Sequence, residues 1–147
     1  MADTRVQFEV EDWIRREWMP KKFGQKFTRE RVKLSSGGFC DFDALSEDQK
    51  IVAMISTSGD KTTSGKHGVG KLQKIRNDMF FLLLVPNVER RVVVLTEKDM
   101  FKACSKEVEG GRVPDSIEFI QVEIPQDLNA KLTAAKLKAS QETSPKP

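Results

Sequence analysis

Apolar positions along the chain switch between two periods. From Val6 to Phe23 they recur at helical spacing, and Val10, Trp13, Ile14 and Trp18 form a stripe that predicts an amphipathic helix ending near Pro20 or Gly24. Phe27 to Leu34 alternates in part and reads as a strand before the turn Ser35-Ser36-Gly37-Gly38. Phe39 to Leu45 and Lys50 to Ser58 have strand composition on either side of polar Ser46-Glu47-Asp48-Gln49, which predicts a β-hairpin. A second helix is expected from about Val69 to Leu84, with Val69, Leu72, Ile75, Met79, Phe80 and Leu83 facing inward.

After Pro86-Asn87 the segment Arg90 to Leu95, continuously apolar from Val92, predicts a strand buried on both faces, at the centre of a sheet. Thr96 is placed to cap a helix reaching about Glu107, with Asp99 in its first turn. Ser116 to Glu123 reads as a further strand. Pro125 then opens a helix from about Asp127 to Lys138. The order α-β-β-β-α-β-α-β implies an α/β domain with a mixed sheet flanked by helices. Residues 1–124 are expected to form that domain, 125–139 a C-terminal helix and 140–147 a disordered tail.

A chain of 147 residues suits one domain with a genuine core. No apolar run approaches the roughly 18 residues that would span a bilayer, and the first residues lack an apolar signal region. Cys40 and Cys104 lie far apart without a Cys-x-x-Cys pattern, which suits a reducing compartment; a cytoplasmic protein with no membrane partner is the expectation. With His67 as the single histidine, they cannot complete a four-ligand zinc site. His67 could act as a general base, but a loop histidine among lysines also reads as plain surface. No Gly-x-Ser-x-Gly elbow accompanies it.

Charge is unevenly spread. Arg15 to Lys33 holds eight bases against Glu17 and Glu30; Leu34 to Asp60 holds five acids against Lys50; Lys61 to Arg76 holds five bases and no acid. Two basic stretches around an acidic hairpin suit a protein that binds a phosphate backbone, and equally suit solvated surface. Within the hairpin, strict alternation would put Asp41 and Asp43 on one face with Phe39 and Leu45. Acids beside apolar neighbours carry a desolvation cost that a divalent cation would offset; a face open to water would need no cation.

The pattern Gly38-Phe39-Cys40-Asp41-Phe42-Asp43-Ala44, followed by Ile51-Val52-Ala53-Met54-Ile55-Ser56, resembles the core of the PD-(D/E)xK, or restriction-endonuclease-like, nuclease superfamily. There an acid ends one strand and the next carries acid-x-Lys. Met54 stands where the second acid belongs and Ser56 where the lysine belongs. The resemblance implies a restriction-endonuclease-like fold and a site in which Asp43 and Asp41 hold Mg2+ or Mn2+ for phosphodiester hydrolysis. It also implies that the first helix lends Glu17. Lys61, Lys66 or Lys71 is the substitute it leaves for the missing lysine.

The loop before the second helix has a pattern of its own. Gly65-x-x-x-x-Gly70-Lys71 matches most of a phosphate-binding P-loop, but Leu72 replaces the Ser or Thr that would hold magnesium. Lys61, Lys66, Lys71 and Lys74 could still contact single phosphates. The function expected is a nucleic-acid-binding protein, for DNA or RNA, that is weak or inactive as a metal-dependent nuclease. The alternatives are a non-catalytic module that recruits protein or nucleic acid, and a nucleotide binder using Gly65 to Lys71.

Overall fold

A computed structural model describes residues 4–60 and 69–143. Five strands form one mixed sheet in the order β1-β2-β3-β4-β5: Phe27–Lys33, Phe39–Ser46, Ile51–Ser56, Arg90–Leu95 and Ile117–Gln121. β1 and β2 pair antiparallel, as do β2 and β3, whereas β3–β4 and β4–β5 are parallel. Only β2 therefore runs against the other strands. The tight β2–β3 turn is closed by Gln49 at φ 62°, and Ser46 Oγ accepts hydrogen bonds from the N–H groups of Lys50 and Ile51 at 3.2 and 2.9 Å.

The first helical segment is α1, Arg5–Trp13, which widens into a π turn at Ile14–Trp18 and resumes as α2, Met19–Phe23. Pro20 has no N–H to donate, and its ring would press on the carbonyl four residues earlier; the wider turn sits where that conflict falls. Gly24 at φ 75° ends the segment in the left-handed conformation that glycine adopts without strain. Three more helices follow: α3 Val69–Leu83, α4 Lys98–Glu109 and α5 Gln126–Thr143.

The sheet separates two cores. On one face Phe42, Val52, Met54, Val93 and Leu95 pack against Ile75, Met79 and Leu82 of α3 and Met100 and Cys104 of α4. On the other, Ala44, Ile51, Ala53, Ile55, Val92 and Val94 meet Val10, Ile14 and Met19 of the N-terminal helices and Leu132 of α5. Successive residues of β3 and β4 thus feed opposite cores, which accounts for their unbroken apolar runs.

Three expectations change. Phe80 and Leu83 point outward and Leu82 inward, because the buried row of α3 is Ile75, Met79 and Leu82. Thr96 does not cap α4: Glu97 is the capping residue and makes no side-chain cap bond, while Thr96 Oγ1 is buried without a partner among the described residues. Asp99, in the first turn as expected, instead accepts the N–H of Asp60 at 3.0 Å and that of Met100 at 2.8 Å. The last helix continues to Thr143, past the expected boundary at 139 and into the stretch expected to be a tail.

Candidate functional site

Between Thr28 and Glu30 the β1–β2 register slips. Thr28 faces Leu45 and Glu30 faces Phe42, so Asp43 and Ala44 together oppose Arg29. Such a bulge inverts the alternation of everything beyond it. Cys40 and Phe42 pack with the α3–α4 core, and so does Leu45, while Ala44 joins the opposite core. The single face expected for Phe39, Asp41, Asp43 and Leu45 is therefore split.

The bulge also opens a fork. β2 and β3 pair only at Ala44–Ala53 and Leu45–Val52. Beyond those pairs the Asp43 carboxylate takes the place of the missing ladder bond: its Oδ2 accepts the Ile55 N–H at 2.8 Å. The Asp43 carbonyl is held as well, accepting a 2.9 Å hydrogen bond from Nη1 of Arg15 in the π turn. Arg15 is itself mostly buried and reaches Asp12 at 3.2 Å. One side chain from the N-terminal helix thus fixes the backbone that aims Asp43.

Two further carboxylates share the electrostatics of this fork. Burial pushes the Glu11 carboxyl of α1 up to about 7, and the charge of Asp43 adds to the effect, against the opposing pull of Arg15, Arg29 and Lys74. Burial likewise pushes Asp78 of α3 up to about 6; Lys74 opposes the rise and Asp43 reinforces it. Asp43 is raised by its own burial, offset by the Ile55 N–H bond and by Arg29, Arg15 and Lys74. The charge of Asp43 thus reaches an acid on α1 and another on α3, and Lys74 is the cation that all three have in common. The Cys40 thiol is also pushed up, first by burial and then by Asp41, Asp78 and Asp43, so it is no activated nucleophile.

The residues expected at the site are dispersed. Asp41 alternates with Cys40 and Phe42, so it lies on the α1 side of the sheet; it is exposed and 3.8 Å from the Arg31 guanidinium. Met54 is buried in the α3–α4 core, and Ser56 is buried with its Oγ accepting the Ser58 N–H at 3.3 Å. Asp41 and the pair Met54 and Ser56 thus belong to opposite faces, and the expected pocket common to all four does not form. Glu17 is exposed on the π turn, because a π turn rotates the residues that follow out of the stripe set by α1. Glu11 is the helical acid that reaches Asp43. Lys71 is half-buried in the first turn of α3; Lys74, the next turn along, is the α3 lysine whose charge reaches all three acids. Lys61, Lys66, His67 and the Gly65 end of the P-loop pattern lie outside the described residues.

Glu11 is a helical acid outside the expected site, and Asp78, expected on one helix face with Lys71 and Lys74, was not expected at the site either. Each stands four residues from a base, Arg15 and Lys74, a spacing that puts acid and base on one helix face.

A divalent ion needs several oxygens within about 2.0–2.6 Å of one point. Among the described residues no three acidic, cysteine or histidine side chains converge in that way. Oδ2 of Asp43 is engaged by Ile55 and Asp41 faces the other side. The side chains as placed do not fit a magnesium or manganese ion. What the arrangement does offer is an acid-lined fork bordered by the exposed bases Arg29 and Lys74. No family model, curated protein or solved structure matches the chain.

Proposed function

We propose that the chain is a nucleic-acid-binding protein of restriction-endonuclease-like fold whose carboxylate fork does not hydrolyse phosphodiesters. The observation that carries the proposal is the composition of the fork. An acid from β2 stands at the splayed β2–β3 junction, as the resemblance implies, while the neighbouring positions of β3 are the buried, uncharged Met54 and Ser56. Among the described residues β3 therefore brings neither a carboxylate nor a lysine to Asp43, the pair that the resemblance would use to hold a metal and activate water. The element order α-β-β-β-α-β-α-β, followed by α5, is in keeping with the fold proposed.

Binding is supported by cations on the β1 edge of the sheet. Arg29, Arg31 and Lys33 are exposed on that edge strand, and Arg29 is close enough to influence both Glu11 and Asp43. Exposed bases in such a row gain affinity for a polyanion by releasing counterions, independent of sequence.

The test is to incubate the purified chain with labelled single-stranded and duplex DNA and RNA, with EDTA, Mg2+ or Mn2+. Binding that persists in EDTA without cleavage in either metal is the expected result. Metal-dependent cleavage lost in Asp43→Ala would overturn the non-hydrolytic reading.

A further inference from the structure

The β1–β2 hairpin carries a second pattern, distinct from the fork. Val32 and Cys40 are register partners and both pack against the α3–α4 core. Their neighbours must therefore emerge on the opposite side. There Arg31 stands across from Asp41 and Lys33 across from Phe39, with Arg29 continuing the row toward the fork. All three bases are exposed, and Phe39 is 59% exposed.

Charged residues on an edge strand can serve simply to discourage pairing with another sheet. Phe39 works against that purpose: an exposed phenylalanine beside a free edge invites association. Its presence among bases calls for a ligand that is both anionic and flat. Alternate residues of a strand lie about 7 Å apart, comparable to the step between successive phosphates on an extended nucleic-acid strand. In a duplex the base faces are already stacked, so an aromatic platform selects unpaired bases.

We infer that this face of the hairpin binds single-stranded nucleic acid, with Arg29, Arg31 and Lys33 along the backbone and Phe39 stacked on a base. The inference rests on the nucleic-acid reading above and adds the strandedness of the ligand. Asp41 is the opposing feature, an exposed acid 3.8 Å from Arg31. An exposed pair of this kind is weak, so a phosphate can replace it as the partner of Arg31.

Fluorescence anisotropy of the full chain in EDTA, with a labelled oligothymidylate and a duplex of equal length, tests the assignment. The single strand should bind more tightly than the duplex. Phe39→Ala should weaken it about 10-fold, within the range for loss of one base stack. Phe39→Leu, which keeps the apolar bulk and loses the ring, should weaken it almost as much. Phe80→Ala serves as the control, since Phe80 is equally exposed but sits on α3; it should change nothing. Equal or tighter duplex binding, or Phe39 variants that behave like Phe80→Ala, would overturn single-strand selection and leave the nucleic-acid reading standing. Binding of neither ligand would remove both.

Discussion

Asp43 and Ile55 are joined side chain to backbone at 2.8 Å, at the point where β2 and β3 cease to pair. The bond satisfies an N–H in a strand whose side chains are all buried, where an unpaired donor would carry a full desolvation cost. Asp43 is thus a structural residue before it is anything else. Asp43→Asn keeps an acceptor for Ile55 and removes a buried charge, whereas Asp43→Ala keeps neither. Urea denaturation at pH 7 should find the Asn variant more stable than the Ala variant by about 1–2 kcal/mol. Equal stabilities would mean that the bond contributes nothing.

Stability should also depend on pH in an unusual direction. The folded-state pKa of Glu11 is raised from 4.5 to about 7 and that of Asp78 from 3.8 to about 6, both chiefly by burial. Between those limits the folded chain binds more protons than the unfolded one, so these two groups make stability fall as pH rises. Their unfavourable contribution sets in as pH rises through the unfolded values of 3.8 and 4.5 and is complete only once pH has passed the folded value of about 7 for Glu11. The depressed acids Asp48, Glu107 and Glu118 act oppositely, but only below their unfolded values of 3.8, 4.5 and 4.5. Urea midpoints should therefore decline from pH 5 to pH 7.5, and Glu11→Gln should flatten that decline. A variant with the same pH slope as the parent chain would contradict the assignment of Glu11.

Restoring the absent acid should not restore a nuclease. Met54 packs in the α3–α4 core at 7% exposure, so Met54→Glu removes an apolar side chain and buries a charge. Loss of a buried methionine alone costs about 2–5 kcal/mol, and the charge adds to it. The expected outcome, read by thermal melting and by a cleavage assay in Mn2+, is a strongly destabilised chain with no activity. A stable variant that cuts would place position 54 in the fork.

Asp41 should behave as a brake on binding rather than as a ligand. Removing an exposed acid from beside Arg31 takes away a weak competitor for phosphate, an effect of about 2- to 5-fold. Asp41→Asn should tighten oligonucleotide binding by that factor in an anisotropy titration at low salt. Weaker binding would assign Asp41 a positive role.

Much of the fold was legible because the two periods are strong where burial is strong. The run Val92-Val93-Val94-Leu95 feeds two cores and reads as a central strand without ambiguity. The bulge was not legible: neither Asp43 nor Ala44 is a breaker, and the slip falls opposite Arg29, fourteen residues before Asp43. Its effect was to transfer the expected acid pair to different surroundings. Glu11 was missed for a related reason. The π turn shifts the helical stripe between residues 14 and 18, so a regular helix projected from Trp13 and Trp18 selects Glu17 instead. On α3, both Met79–Leu82 and Phe80–Leu83 satisfy a helical period, and only the sheet beneath decides which row is buried.

Salt dependence of binding tests the basic edge most directly. Anisotropy titrations of a labelled single strand in EDTA across a range of KCl give the slope of log K against log salt for the parent chain and for the Arg29→Ala, Arg31→Ala, Lys33→Ala triple variant. Each lost phosphate contact reduces that slope by about 0.7 for a single strand. A slope smaller by about 2 in the triple variant is the expected result; an unchanged slope, or no binding by the parent chain, would contradict a nucleic-acid surface on β1.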